Sequence, residues 1–129
     1  MPRRFGLVLL VGAFALSPAS AGEVIAHPSV VLNADEVRDV FLGERQFVGN
    51  LKLVPVDNRG LQAEFLAKVL QTDERKYAAR WTRKSFREGL AAPTLKGSDA
   101  EVLAFVRATP GALGYVNASN GGVKVLEKF

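Results

Sequence analysis

The feature that most constrains this chain is the order in which two hydrophobic periods alternate along it. Val24-Ile25-Ala26 is a short apolar run stopped by His27-Pro28 and reads as a strand. Asn33-Ala34-Asp35-Glu36 has the spacing of a capping box, an N-cap side chain with a glutamate three residues on. Val37, Val40 and Phe41 follow at helical spacing, and Gly43 ends that helix. Residues 44–50 read as a loop, and Leu51–Val56 as a second strand. Pro55 has no N–H to donate, which confines it to a strand end or an edge. Asp57-Asn58-Arg59-Gly60 is a turn opening into a helix that carries Leu61, Phe65, Leu66 and Val69. A third helix is predicted from Thr72-Asp73 to Arg87, with Tyr77 and Trp81 on one face and Gly89 and Pro93 closing it. Ser98-Asp99-Ala100-Glu101 is a second capping box, ahead of Val102, Leu103, Phe105 and Val106, and Thr109-Pro110-Gly111 stops this helix. Ala112–Val116 reads as a strand, Asn117–Gly122 as a turn and Val123–Leu126 as a last strand. Strands interleaved with helices imply a partly parallel sheet with helices packed on its faces.

Residues 1–21 stand apart from this pattern. Arg3 and Arg4 precede an uncharged, largely apolar stretch from Phe5 to Leu16; Ser17-Pro18 breaks it, and Ala19-Ser20-Ala21 supplies a small-x-small site. This is the layout of a secretory signal peptide, cleaved after Ala21, which predicts a periplasmic or secreted protein. The apolar stretch is shorter than the ~20 residues a membrane-spanning helix needs, so no stable span is expected after cleavage. Removing 21 of the 129 residues leaves 108, with 15 basic and 13 acidic side chains, a net charge of +2 against +4 for the whole chain. The domain so defined, residues 22–129, is long enough for one core without disulfides.

Absences narrow the chemistry. The chain has no cysteine and one histidine, which leaves no thiolate zinc site, no cysteine nucleophile and no His-pair metal site. His27 follows a strand and precedes a proline, a structural setting. Asp35, Glu36 and Asp39 lie in the first turns of a helix, where capping and the helix dipole account for them. Ser85, Ser98 and Ser119 lack the G-x-S-x-G context of a hydrolase nucleophile. No catalytic residue, metal or cofactor is therefore assigned. Arg75, Lys76, Arg80, Arg83, Lys84 and Arg87 lie on one predicted helix with Tyr77 and Trp81 between them. Helical spacing makes the aromatics buried anchors and the charges a solvated face, and with export expected, nucleic acid is not a partner.

Three segments in order, "LNADEVRDVFLGE" (32–44), "LKLVPVDNRGLQAEFLAKVL" (51–70) and "SDAEVLAFVRATPGALGYV" (98–116), resemble the phosphate-binding proteins of ABC transporters, within the type 2 periplasmic-binding-protein group. That family carries an I-F-L-G-like helix end, an S-G-T-R-x-x-F-like loop between a strand and a helix, and a V-x-x-x-P-G-A-I-G-Y-V-like segment. The counterparts here are Val40-Phe41-Leu42-Gly43, Gly60-Leu61-Gln62-Ala63-Glu64-Phe65, and Val106 followed by Pro110 to Val116. The resemblance implies an α/β fold: a single three-layer αβα lobe with a mixed, mostly parallel sheet. Full-length members close two lobes on their ligand, and 108 residues correspond to one. In the loop, Arg59 stands in the place of the serine, Leu61 of the threonine and Gln62 of the arginine, while Asp57 and Gly60 match.

The resemblance implies a solute-binding-like domain for a small oxyanion, phosphate being the family's ligand, with an ABC permease as partner. The anion would sit on Asp57, Asn58, Arg59, Gly60, Leu61 and Gln62, where a turn entering a helix offers N–H groups and Arg59 a guanidinium fork. Two alternatives stand beside it. Asp57-Asn58 simply turns the chain with Arg59 in solvent, or the domain is a non-catalytic interaction module that has lost its ligand and dimerises.

Overall fold

In a computed structural model, residues 20–129 are described; the expected signal segment lies outside them except for Ser20 and Ala21. Seven strands and four helices follow one another: β1 (Glu23–Ala26), α1 (Ala34–Phe41), β2 (Phe47–Val48), β3 (Leu51–Lys52), β4 (Val54–Asn58), α2 (Gln62–Phe65), α3 (Glu74–Glu88), β5 (Thr94–Lys96), α4 (Asp99–Ala108), β6 (Ala112–Val116) and β7 (Lys124–Lys128). Five strands form one sheet in the order β5-β4-β6-β1-β7. β4 pairs in parallel with both β5 and β6, while β1 runs antiparallel to β6 and to β7. Four strands thus point one way and β1 opposes them. Among the described residues no helix is long and apolar enough to cross a membrane.

Strand alternation divides the core into two layers. Val24 and Ala26 of β1 and Leu113 and Tyr115 of β6 face one side, where α1, α2 and α3 contribute Val37, Phe41, Phe65, Tyr77 and Trp81. Ile25, Val56, Ala112 and Val116 face the other side and meet Val102, Leu103 and Val106 of α4. Both faces are covered, so the strands read as continuous apolar runs rather than alternating ones. The expected α/β, three-layer lobe is the one observed.

The caps form as the sequence implies. Asn33 accepts the Glu36 N–H at 3.0 Å while the Glu36 carboxylate accepts the Asn33 N–H at 3.0 Å, completing a capping box. Asp73 caps α3 and Gly89 closes it in the left-handed region, φ +70°. At α4 only half of the second box forms: Ser98 Oγ accepts the Glu101 N–H, but the Glu101 carboxylate reaches the N–H of Gly97 instead.

Four elements differ from expectation. Residues 44–50 are not all loop, because Phe47–Val48 pairs with Leu51–Lys52 in a short hairpin, and the expected strand 51–56 breaks at Leu53. β5 had no distinct sequence signal. The helix after the turn widens into a π-helical segment (Leu66–Leu70), closed by Gln71 at φ +55° where no glycine announces an end. Last, residues 117–122, expected as a turn, form with Val123 a longer connection. They carry the chain back along the sheet so that β7 lies parallel to β6 with β1 between them. Pro55 lies inside the sheet but at a ragged end. Val54 donates to Gly111, just before β6, and Arg59 to Lys96 on β5, so by alternation Pro55 faces the β5 side, where pairing begins only at Val56.

Gly111 shows how tightly the β3–β4 junction is held. Its φ is +87°, and a Cβ there would collide with the backbone carbonyl oxygen of Lys52. Gly111→Ala should lower stability by about 2 kcal/mol or more, from the left-handed backbone and the clash together. Urea denaturation checks this; an unchanged midpoint would contradict the placement of Gly111 against Lys52.

Candidate functional site

The chain leaves β4 toward β5 and leaves β6 toward β7, so the connections at the carboxyl ends of these neighbours diverge to opposite sides of the sheet. A divergence of this kind is where open α/β sheets hold ligands. The turn singled out in the sequence, Asp57–Gln62, stands at this point.

The structure splits those six residues into two sets. Asp57 is buried, and its carboxylate accepts hydrogen bonds from Tyr77 Oη at 2.9 Å and Tyr115 Oη at 2.7 Å. Asn58 is also buried; its amide donates to Asp99 Oδ1 at 2.8 Å and to the Tyr115 carbonyl at 3.0 Å. Its Oδ1 accepts the Gly60 N–H at 3.3 Å, an Asx turn that shapes the loop. Leu61 is packed in the core beside Phe65. These three side chains face inward. Arg59 and Gly60 are exposed and Gln62 is half-buried. An added Cβ at Gly60 meets nothing nearer than Asn58 Oδ1 at 4.0 Å, so open space lies over this residue.

The loop's own amides are mostly engaged. Arg59 N–H donates to the Lys96 carbonyl at 2.9 Å and Leu61 N–H to the Asn58 carbonyl at 3.1 Å. The start of α2 differs: no side chain caps it, whereas Asn33, Asp73 and Ser98 cap α1, α3 and α4. The first amides of α2, from Gln62 onward, therefore have no side-chain acceptor. Arg59 is exposed in the turn, and the Lys96 ammonium sits against α4, 4.5 Å from the Phe105 ring centroid. Asp99 also accepts from the N–H of Asn117 at 2.9 Å, tying the ends of β4, β6 and α4 together.

Burial pushes the Asp57 carboxyl up to about 6, although the hydroxyls of Tyr115 and Tyr77 and the Gln62 amide favour its charged form. Both tyrosines are held well above the ordinary phenol range, by burial first and then by the adjacent carboxylate. Sequence reasoning placed Tyr77 correctly as buried but missed Asp57 as its partner. It also missed Asp99, Asn117 and Lys96. The available signal was strand alternation: Asp57 is in register with Pro55 and Leu53, toward the helices, while Asn58 faces α4.

The remaining candidates have local duties. His27 Nδ1 accepts the Ser29 N–H at 3.0 Å, and Ser29 Oγ accepts the Gly111 N–H at 3.1 Å. Ser119 is bound to Glu23. On α3, Arg80 and Lys84 pair with Glu44, and Arg75, Lys76, Arg83 and Arg87 are exposed. Among the described residues no three His, Cys, Asp or Glu side chains gather as a metal site.

No family model matches the sequence. No curated protein matches it either. Solved structures do match by shape. One is a phosphate ABC transporter substrate-binding protein with bound phosphate from Clostridium perfringens, with a TM-score of 0.62 and 12% identity over 84% of this chain and 44% of that one. Another is an ABC-type phosphate transport receptor from Vibrio cholerae, with a TM-score of 0.51 and 11% identity over 84% of this chain and 46% of that one. The fold is like that of about half of each of these binding proteins. The chain spans less than half the length of either structure. At these identities the likeness is one of fold.

The buried carboxylate makes stability depend on pH with a definite sign. The folded-state value, about 6, exceeds the ordinary aspartate value of 3.8, so the fold prefers the protonated acid. Its contribution is most favourable below pH 4 and declines as pH rises to 6, by about 3 kcal/mol in all. Asp57→Asn should flatten that part of the profile when urea midpoints are compared between pH 4 and 7. An identical slope in both proteins would show that Asp57 is not the group responsible.

Proposed function

We propose that this domain binds a small oxyanion, phosphate in the first instance, as an exported solute-binding-like protein linked to ABC-type transport or its sensing, and that it carries out no chemistry. The observation that carries this reading is the exposed turn after β4, where the connections leaving β4 and β6 diverge. There Arg59 and Gly60 are open to solvent beside the uncapped start of α2. Exposed amides and a guanidinium are the donors a tetrahedral anion takes. Likeness of fold to phosphate-binding proteins supports the choice of anion. Within the turn, Arg59 and Gly60 would face the ligand, while Asp57, Asn58 and Leu61 would hold the loop from beneath, with the Gln62 amide on the Asp57 carboxyl. An ABC permease is the partner this reading implies.

The inward set of Asp57, Asn58 and Leu61 also favours a second reading. With these side chains committed to the interior, fewer donors remain for an anion. On that reading the domain is a non-catalytic interaction module, and the exposed turn is covered by a second copy of the chain.

Calorimetric titration of residues 22–129 with phosphate and with sulfate separates the two. The first predicts saturable heat with phosphate, abolished by Gly60→Asp, which puts a negative charge where the structure has room for a side chain. Affinity weaker than about 1 mM, roughly 4 kcal/mol, would sink it. The second predicts a dimer by light scattering, and a monomer at high concentration would sink that.

A further inference from the structure

A cavity lies at the opposite end of β4 from the turn. It encloses about 240 Å³ between the C-terminal end of α1, the indole of Trp81 and residues 90–93 leading into β5. Val40, Leu53, Pro55 and Trp81 give it an apolar floor, and Arg45 and Lys52 stand in its lining. No aspartate or glutamate lines it. The two cations are not equivalent. Arg45 is neutralised by Glu36 at 2.9 Å, whereas Lys52 takes part in no ion pair among the described residues.

The walls are fixed before any ligand arrives. Trp81 Nε1 donates to the Phe41 carbonyl at 3.1 Å, which anchors the indole in the core. Gly43 lets it sit close, since a Cβ there would come within 2.8 Å of Trp81 Cη2. The hairpin side is held by the Leu53 N–H on the Gln46 carbonyl at 2.9 Å. The cavity is smaller than the ~300–1,000 Å³ of sites for drug-sized molecules, so its occupant is small. An apolar floor rejects a fully hydrated oxyanion such as phosphate, and Arg45 and Lys52 repel cations. What complements the site is a flat apolar body bearing a single negative charge.

We propose that this cavity binds a small apolar monocarboxylate of about the size of benzoate, its ring against the Trp81 indole and its carboxylate toward Lys52. The site is separate from the proposed anion-binding turn, and its test does not depend on that reading. Trp81 is the only tryptophan in the chain, so its indole N–H gives a single NMR resonance that reports on this wall. Titration with benzoate should move that resonance saturably at millimolar concentrations, and phosphate should leave it in place. Benzyl alcohol, with the same ring and no charge, should bind about tenfold more weakly. Lys52→Gln should erase most of that difference, and Ala92→Phe, at an exposed position on the cavity mouth, should remove the response to both. No saturable shift with benzoate, equal binding of the two probes, or an undiminished preference in Lys52→Gln would each overturn the proposal.

Discussion

One buried carboxylate connects most of this fold. Asp57, near the end of β4, takes a hydroxyl from α3 through Tyr77 and another from the central strand β6 through Tyr115. Leaving either hydroxyl or the carboxylate without its partner in so dry a place costs more than the bonds themselves gain. The three residues therefore specify how α3 sits on the sheet as much as they stabilise it. Tyr115 extends this control through its ring, stacked on Phe65 with centroids 3.9 Å apart, and Phe65 meets Phe41 edge-on at 4.8 Å. Strand, helix and aromatic layer are thereby placed relative to one acid.

The same constraint shapes the turn that follows it. Because Asp57 points toward the helices, the next residue of the strand must point toward α4. Asn58 does so and binds Asp99 and the Tyr115 carbonyl. With both polar side chains turned away, the loop offers solvent only Arg59, Gly60, part of Gln62 and the uncapped start of α2. A buried acid thus decides which atoms of the turn a ligand can meet.

Much of this was legible in local sequence. Capping residues and apolar spacing located α1, α3 and α4 to within a residue or two, since a helix end is decided by side chains three or four positions away. Strands β1 and β6 were equally plain as apolar runs between turn residues. The hairpin Phe47–Lys52, the three-residue β5 and the π-helical segment were not legible. Each is defined by its partner: β5 exists because β4 offers it a parallel edge, and Thr94–Lys96 alone has no period to recognise. The path of β7 was hidden for the same reason, because NASNGG reads as a tight turn and only the insertion of β1 makes it a crossing.

The sequence by itself determined the alternation of strands and helices, the two-faced burial of the sheet, and the presence of a turn with an acid, an amide and an arginine at the end of β4. Those follow from period, caps and turn chemistry, all of which act within a few residues. Tertiary structure decided which way each of those side chains faces. It set Asp57 against tyrosines 20 and 58 residues away and left Arg59 outside. The reason is physical: desolvating a carboxylate is tolerable only where distant donors converge on it, and that convergence exists only once the chain has folded.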